Sequence, residues 1–376
     1  MKEYYLSELL QIKNGRDYKH LSKGPYPVYG SGGLMQYVDD YLYDKPSILL
    51  PRKGSLSNIQ YADTPFWTVD TLYFTEVDES KADAYYLYYY LKLLDLSNLD
   101  SGTGVPSMTF DSYYNIRVFL PELSEQNRVS ALLRTIDNTI SVKRQINDYL
   151  EAIARQLYDY WFVQFDFPDE NGKPYKSSGG QMVWNEKLKR EIPEGWEVCS
   201  IGDIIDKYPS TRRYDTDEYL ADGNYPIIDQ GDKYIVGFTN ETDGLLNRLP
   251  AVVFGDHSTR VKYVERPFAR GADGTQILYS KYPNVGPRFL FLCVSAMQIP
   301  NPGYSRHFKY LKDLLLCVPN QDVSTRFEEI VRPIFKQWSD GIFQNDGLRK
   351  HEEYLLPLLM NRQVSVRPLN NHLSHD

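Results

Sequence analysis

Cysteine, histidine, long apolar runs and net positive charge are all scarce in this chain, and each scarcity removes a class of function. Three cysteines in 376 residues, Cys199, Cys293 and Cys317, have no Cys-x-x-Cys spacing. That argues against a zinc ribbon or a disulfide framework and for a reducing, cytoplasmic setting. Six scattered histidines give a metal cluster no support. The longest apolar run, positions 289–297, is too short to span a bilayer, and the opening MKEYYLSELLQ lacks the apolar centre of a signal peptide. Neither secretion nor a membrane partner is expected. A net charge of −8 argues against a protein that simply coats nucleic acid. Catalytic signatures are missing too: no Gly-x-Gly-x-x-Gly, no Gly-Lys-Ser/Thr phosphate loop, no His-Glu-x-x-His, no Gly-x-Ser-x-Gly and no Asn- or Asp-Pro-Pro-aromatic tetrapeptide. The nuclease-like fragment Glu186-Lys187 is of a kind that chance supplies freely.

What is present is unevenly placed charge, tyrosine and a repeat. Between positions 245 and 288 seven basic residues (Arg248, Arg260, Lys262, Arg266, Arg270, Lys281, Arg288) face three acidic ones (Asp256, Glu265, Asp273). The 32 tyrosines suit faces for bases and sugars, but they suit strands and protein interfaces equally well. Shifting the chain against itself by 198 positions superposes Pro121 on Pro319, Arg128 on Arg326, Ile136 on Ile334, Asn147 on Asn345 and Leu157 on Leu355. One design has been used twice. With small insertions, Tyr26-Pro-Val-Tyr29 parallels Tyr225-Pro-Ile-Ile228, and the run ILLPRKGSLSNIQY from Ile48 parallels AVVFGDHSTRVKY from Ala251. Each unit reads as strand, polar turn, strand, aromatic patch, strand and helix.

The closing helices carry clear periodicity. In the first, Ser124 is the expected cap, and Val129, Leu132, Leu133, Ile136, Ile140, Ile146, Leu150, Ile153 and Leu157 follow at three-to-four spacing. In the second, Asp322 takes the cap position, and Phe327 to Leu359 continue a stripe blemished by Pro333 and Gly341. A helix of nearly forty residues would extend ~60 Å, too long to bury its stripe within one small domain. An antiparallel coiled-coil-like pair is the expectation, with two independent core helices as the alternative. The turn-rich stretch 164–197 reads as a connector, and the polar tail 362–376 as frayed. Tyr85, Tyr86, Tyr88, Tyr89 and Tyr90 share a helical window with Leu87 and Leu91, which favours core packing.

In place of a catalytic centre, the repeat carries donors suited to a polyanion. Arg52, Lys53, Ser55, Ser57 and Asn58 lie on the first turn, and His257, Ser258, Thr259, Arg260 and Lys262 on the second. A solvated hairpin tip is the competing reading. The loops Ser101-Gly-Thr-Gly-Val-Pro-Ser107, with Thr103, and Asn301-Pro-Gly-Tyr-Ser-Arg-His307, with Arg306, would let a phosphate approach the backbone, or be turns without a ligand. Arg212 and Arg213 are a further candidate pair, against a surface charge cluster.

With these residues in view, the chain resembles the specificity subunits of type I restriction-modification systems. The resemblance rests on Pro51-Arg-Lys-Gly-Ser55, Pro65-Phe-Trp67, Asp70-Thr-Leu-Tyr73, Thr103-Gly-Val-Pro106, Leu120-Pro-Glu-Leu-Ser-Glu-Gln126, Trp161-Phe-Val-Gln-Phe165 and Ile192-Pro-Glu-Gly-Trp196. It is weaker in the second half, where the Arg-Lys-Gly-Ser form is missing. It implies an α+β fold of two target-recognition-type α/β domains in tandem pseudo-repeat, separated by the long helices. The expected segments are 1–122 (first recognition domain), 123–163 (central helix), 164–197 (connector), 198–321 (second recognition domain), 322–361 (C-terminal helix) and 362–376 (tail). It further implies double-stranded DNA as ligand, read at a bipartite asymmetric site, and no catalytic residues or cofactor of the chain's own. Two methyltransferase subunits and restriction-translocase subunits would be its partners, and S-adenosylmethionine, Mg and ATP would belong to them. A protein-protein interaction scaffold without DNA binding is the competing class, and a fused restriction-enzyme fragment a third.

Overall fold

The computed structural model describes residues 1–96, 106–206, 211–300 and 306–366. The chain divides into two compact units, Met1–Ser141 with Gly347–Asp376, and Val142–Asp346.

The first unit runs β1 (Lys2–Tyr5), β2 (Leu10–Lys13), β3 (Tyr26–Gly30), β4 (Gly33–Val38), β5 (Ser47–Pro51), β6 (Gln60–Ala62), β7 (Trp67–Thr68), β8 (Leu72–Val77), α1 (Ala84–Lys92), α2 (Phe110–Tyr114), β9 (Arg117–Leu120) and the start of α3 (Leu123–Tyr158). Its sheets are ordered β1-β9, β4-β3-β7 and β2-β8-β5-β6. Only the β3–β7 pairing among them is parallel. Every residue of β5, Ser-Ile-Leu-Leu-Pro, is buried, as an interior strand with both faces covered requires. Its one internal hydroxyl is satisfied, because Ser47 Oγ donates to Thr75 O at 2.7 Å while Thr75 Oγ1 accepts from Ile48 N at 3.0 Å. Asp83 caps α1 by accepting from Tyr86 N at 2.8 Å, which turns Tyr85, Tyr86 and Tyr89 into the core and leaves Tyr88 and Tyr90 half-buried.

The second unit holds β10 (Met182–Asn185), β11 (Arg190–Pro193), β12 (Glu197–Ser200), α4 (Ile201–Ile204), β13 (Tyr225–Ile228), β14 (Gly237–Thr239), β15 (Ala251–Gly255), β16 (Val261–Val264), β17 (Ala269–Arg270), β18 (Thr275–Leu278), α5 (Pro287–Ala296), α6 (Phe308–Asp313), β19 (Leu315–Val318) and most of α7 (Gln321–Met360). Strand orders β12-β19, β14-β13-β17 and β16-β15-β18 repeat those of the first unit except for the edge strand β2, which has no counterpart, again with one parallel pairing, β13 with β17. The stretch read as a connector contains the β10–β11 hairpin, and Phe165, Phe167 and Trp196 from it join the main core. Phe167 stacks on Trp196 with ring centroids 5.2 Å apart, so aromatic burial fixes a segment that its turn residues alone describe as linker.

The helix ends differ in detail from the sequence reading. Helix α3 starts at Leu123, before Ser124, and Gln126 secures its entry: Nε2 donates to Pro121 O at 2.9 Å and Oε1 accepts from Asp83 N at 2.9 Å. On α7, Asn320 caps by accepting from Val323 N at 2.9 Å, and Asp322 lies one residue inside the helix. The helix continues through Pro333 and Gly341. Along α3 the buried positions Gln126, Leu133, Ile140, Asn147 and Ala154 recur every seventh residue, the period of a seam facing another helix. Within the first unit Val129 and Leu133 share a core with Leu356, Leu359 and Met360 of α7; within the second, Ala154 shares one with Val331 and Phe335. Ile146 and Ile153, expected in the buried stripe, are 40% and 45% exposed. No helix among the described residues is long and apolar enough to cross a membrane.

Candidate nucleic-acid interface

In the first unit the basic turn leaves β5 and returns into β6, which pairs antiparallel with it. Backbone bonds brace it: Arg52 N donates to Thr71 O at 2.9 Å, Gly54 N to Pro106 O at 2.9 Å, and Met108 N to Arg52 O at 3.0 Å. Gly54 has φ +89, a left-handed conformation that a side chain would strain. Arg52 is half-buried, its Nη1 donating to Asp70 O at 3.3 Å. Lys53, Ser55 and Ser57 are exposed, and their side chains make no hydrogen bond or ion pair with the described residues. Asn58 is already engaged, its Nδ2 donating to Ser31 O at 2.8 Å, which joins the turn to the tip of the β3–β4 hairpin. Thr103 lies outside the described residues.

The second turn, between β15 and β16, is built differently. His257 N donates to Gln230 Oε1 at 2.9 Å, and the Ser258 hydroxyl donates to Gln230 O, so Gln230 on the loop after β13 carries the turn. Thr259 adopts φ +59, and its hydroxyl donates to Ser258 O at 2.7 Å. Arg260 is exposed and its Nε donates to Asp232 Oδ1 at 2.7 Å. Lys262 is a correction. Expected on the turn and free for a ligand, it stands on β16 with a side chain only 7% exposed. Its ammonium donates to the carbonyls of Asp229 at 2.8 Å and Lys233 at 2.5 Å. Burial pushes its pKa down, opposed by the nearby Asp229 carboxylate. Lys262 holds the fold and has no surface to offer DNA.

The local excess of basic residues is also smaller than their number suggests. Arg248 pairs with Asp206, Arg266 with Asp340, and buried Arg288 with both Glu265 and Glu328. Arg212 pairs with Glu218 and lies 4.3 Å over the Tyr214 ring, which fits the surface-cluster reading. Arg213 and Arg306 both reach Asp273, Arg306 at 3.6 Å. Sequence reasoning missed Gln230 and Asp232, neutral or acidic residues whose role depends on which loop they face. No group of histidine, cysteine, aspartate and glutamate among the described residues is arranged to hold a metal.

Two polar turns thus join paired antiparallel strands in the two units, the first with exposed Lys53, Ser55 and Ser57 and the second with most of its donors engaged within the fold. Residues 1–152 match the family model of the type I restriction modification DNA specificity domain. The type I restriction enzyme HindI specificity subunit of Haemophilus influenzae is 36% identical, over 73% of this chain and 74% of that protein. This chain belongs to the type I restriction enzyme specificity subunits. As such it is a DNA-specificity component and not an enzyme. The MjaIX specificity subunit of Methanocaldococcus jannaschii is 23% identical, over 87% of this specificity subunit and 80% of its own length. The crystal structure of a type I restriction-modification S subunit from M. genitalium shares the fold, with a TM-score of 0.63 and 16% identity over 95% of each chain.

Proposed function

We propose that this specificity subunit reads a split, asymmetric sequence in double-stranded DNA, one half with each of two recognition domains, residues 1–122 and 198–321. The observation carrying this reading is the duplicated strand order, each copy placing a polar turn between two paired antiparallel strands, β5 and β6 in the first and β15 and β16 in the second. The turns differ in composition and bracing, as two readers of unlike half-sites would. The long helices serve as an antiparallel spacer. At about 1.5 Å per residue, the 36 residues of α3 would extend about 54 Å, so the tract between half-sites would go unread.

The same helices supply a face for partner subunits. Val142, Ile146, Tyr149 and Ile153 form an exposed apolar stripe at helical spacing on α3, between 40% and 70% accessible. Two methyltransferase subunits would cover it and bring S-adenosylmethionine; restriction-translocase subunits would bring Mg and ATP. With much of its own positive charge neutralised, the chain alone would bind DNA weakly, and the partners would supply phosphate contacts. The complex would act in the cytoplasm.

The test is co-expression with its methyltransferase partner and mapping of methylated adenines. Methylation at a motif of two short blocks around an unspecified gap is expected. Methylation at one continuous motif, or no change on removing this subunit, would overturn the reading.

A further inference from the structure

Most arginines of the second unit are neutralised by a carboxylate; Arg270 is an exception. It ends β17, its carbonyl accepting from Tyr214 N at 2.9 Å, and it bridges to Arg213 on the adjacent chain segment. Its side chain is half-buried. The Nε is shut off from solvent without a hydrogen-bond partner, and the guanidinium makes no ion pair with any described carboxylate. Burial and then the neighbouring Arg213 charge push its pKa below the usual arginine range, with only Asp273 opposing. A buried Nε–H without a partner is costly, so this edge of the guanidinium is incomplete as it stands.

Its surroundings indicate what would complete it. Asp273 stands on a tight loop whose Gly274 has φ +84. Arg213 Nη1 donates to one of its carboxylate oxygens, and Arg306 Nη2 lies 3.6 Å from the other. Two guanidiniums thus hold one carboxylate, and the Arg270 charge feels both Arg213 and Asp273, leaving two positive charges in excess. Gln230 ties this group to the turn: its Nε2 donates to Asp273 O at 2.7 Å while its Oε1 accepts from His257 N at 2.9 Å. Planar arginine forks match the oxygens of a phosphodiester, and a phosphate brings the charge that a neutral base edge does not.

We propose that Arg270, with Arg213 and Arg306, forms a clamp for a backbone phosphate of the DNA read by the second unit, with Asp273 holding the two outer guanidiniums in position. The clamp rests on the proposed DNA-reading role and assigns it a phosphate contact that positions the duplex without reading a base.

The experiment measures affinity against salt for the complex assembled with methyltransferase subunits, on cognate and scrambled duplexes. Arg270→Met should weaken binding to both by about tenfold and lower the slope of log affinity against log salt by about 1, with the melting temperature retained. Asp273→Asn, at an exposed position, should tighten binding to both duplexes and steepen the slope. Unchanged affinity in both variants, or a loss limited to one base pair of the second half-site, would overturn the clamp. If Arg270→Met fails to assemble, the Asp273→Asn result decides alone. A wild-type complex with no preference between the duplexes would instead sink the parent reading, whatever the variants do.

Discussion

Gly341 on α7 approaches Asn147 on α3 so closely that a Cβ at position 341 would lie 2.2 Å from the Asn147 Oδ1. The glycine that blemishes the sequence pattern is therefore the residue that lets the two helices of the second unit meet around a buried asparagine. A leucine there would improve helix propensity but overpack the seam. We expect Gly341→Leu to destabilise the protein by about 1–3 kcal/mol, read from chemical denaturation. A variant as stable as the parent would show that this approach is not needed.

Arg288 anchors the second unit from inside. Its Nη2 lies 2.6 Å from Glu265 Oε1 and its Nη1 3.1 Å from Glu328 Oε2, while Glu328 Oε1 also accepts from the backbone N–H groups of Arg288 and Phe289 at the start of α5. All three side chains are at most 17% exposed. Arg288→Ala strands two buried carboxylates and should cost about 3–5 kcal/mol in a denaturant titration. A loss below about 1 kcal/mol would mean water reaches the cluster.

Lys262 and Arg52 should separate structural from DNA-facing cations. Lys262→Met leaves two part-buried carbonyls without their donor and should lower stability by about 1–3 kcal/mol while leaving the salt dependence of DNA binding unchanged. Arg52→Ala should do the reverse, weakening the assembled complex at the first half-site with the melting temperature and subunit assembly kept. Fluorescence anisotropy on labelled duplex measures both, and intact affinity in the Arg52 variant removes that assignment.

Alkaline pH should unfold the protein through its tyrosines. Burial raises the pKa of Tyr89, helped by hydrogen bonds to Asp137 and Glu352, and raises Tyr113 and Tyr263 as well; that of Tyr86 is pushed up to about 12. A phenol whose folded pKa exceeds its unfolded value near about 10 stabilises the fold fully below that pH, and the contribution is lost as pH rises through the folded value. Absorbance of tyrosinate and circular dichroism, followed together from about pH 8 to 12, should show these ionisations coinciding with loss of structure. Titration of the buried group near pH 10 in a protein that stays folded would contradict the burial assignments.

Much of the architecture was legible because it is periodic. The long helices follow from spacing alone, and β5 and β15 follow from their unbroken apolar runs. Their detail was not legible: Ile146 and Ile153 belong to the same apolar series as Leu133 and Ile140, yet they face away from the seam, since a 3.6-residue helix offers more than one apolar line and only the neighbour selects among them. The connector was misread in part for a similar reason, because Phe165, Phe167 and Trp196 gain their role only when folded onto one another.

The candidate site divides the same way. Its turns could be located from the repeat, and Lys53, Ser55 and Ser57 are indeed exposed there. The sequence by itself determined the duplication, the strand and helix order and the two polar turns, since these are written in residue types a few positions apart, within reach of covalent geometry. The tertiary structure alone decided which cations stay available to a ligand. The partner that neutralises Arg260 lies 28 residues away, that of Arg213 lies 60 away and that of Arg266 lies 74 away, and a charge is cancelled by nearness in space, to which chain separation is blind.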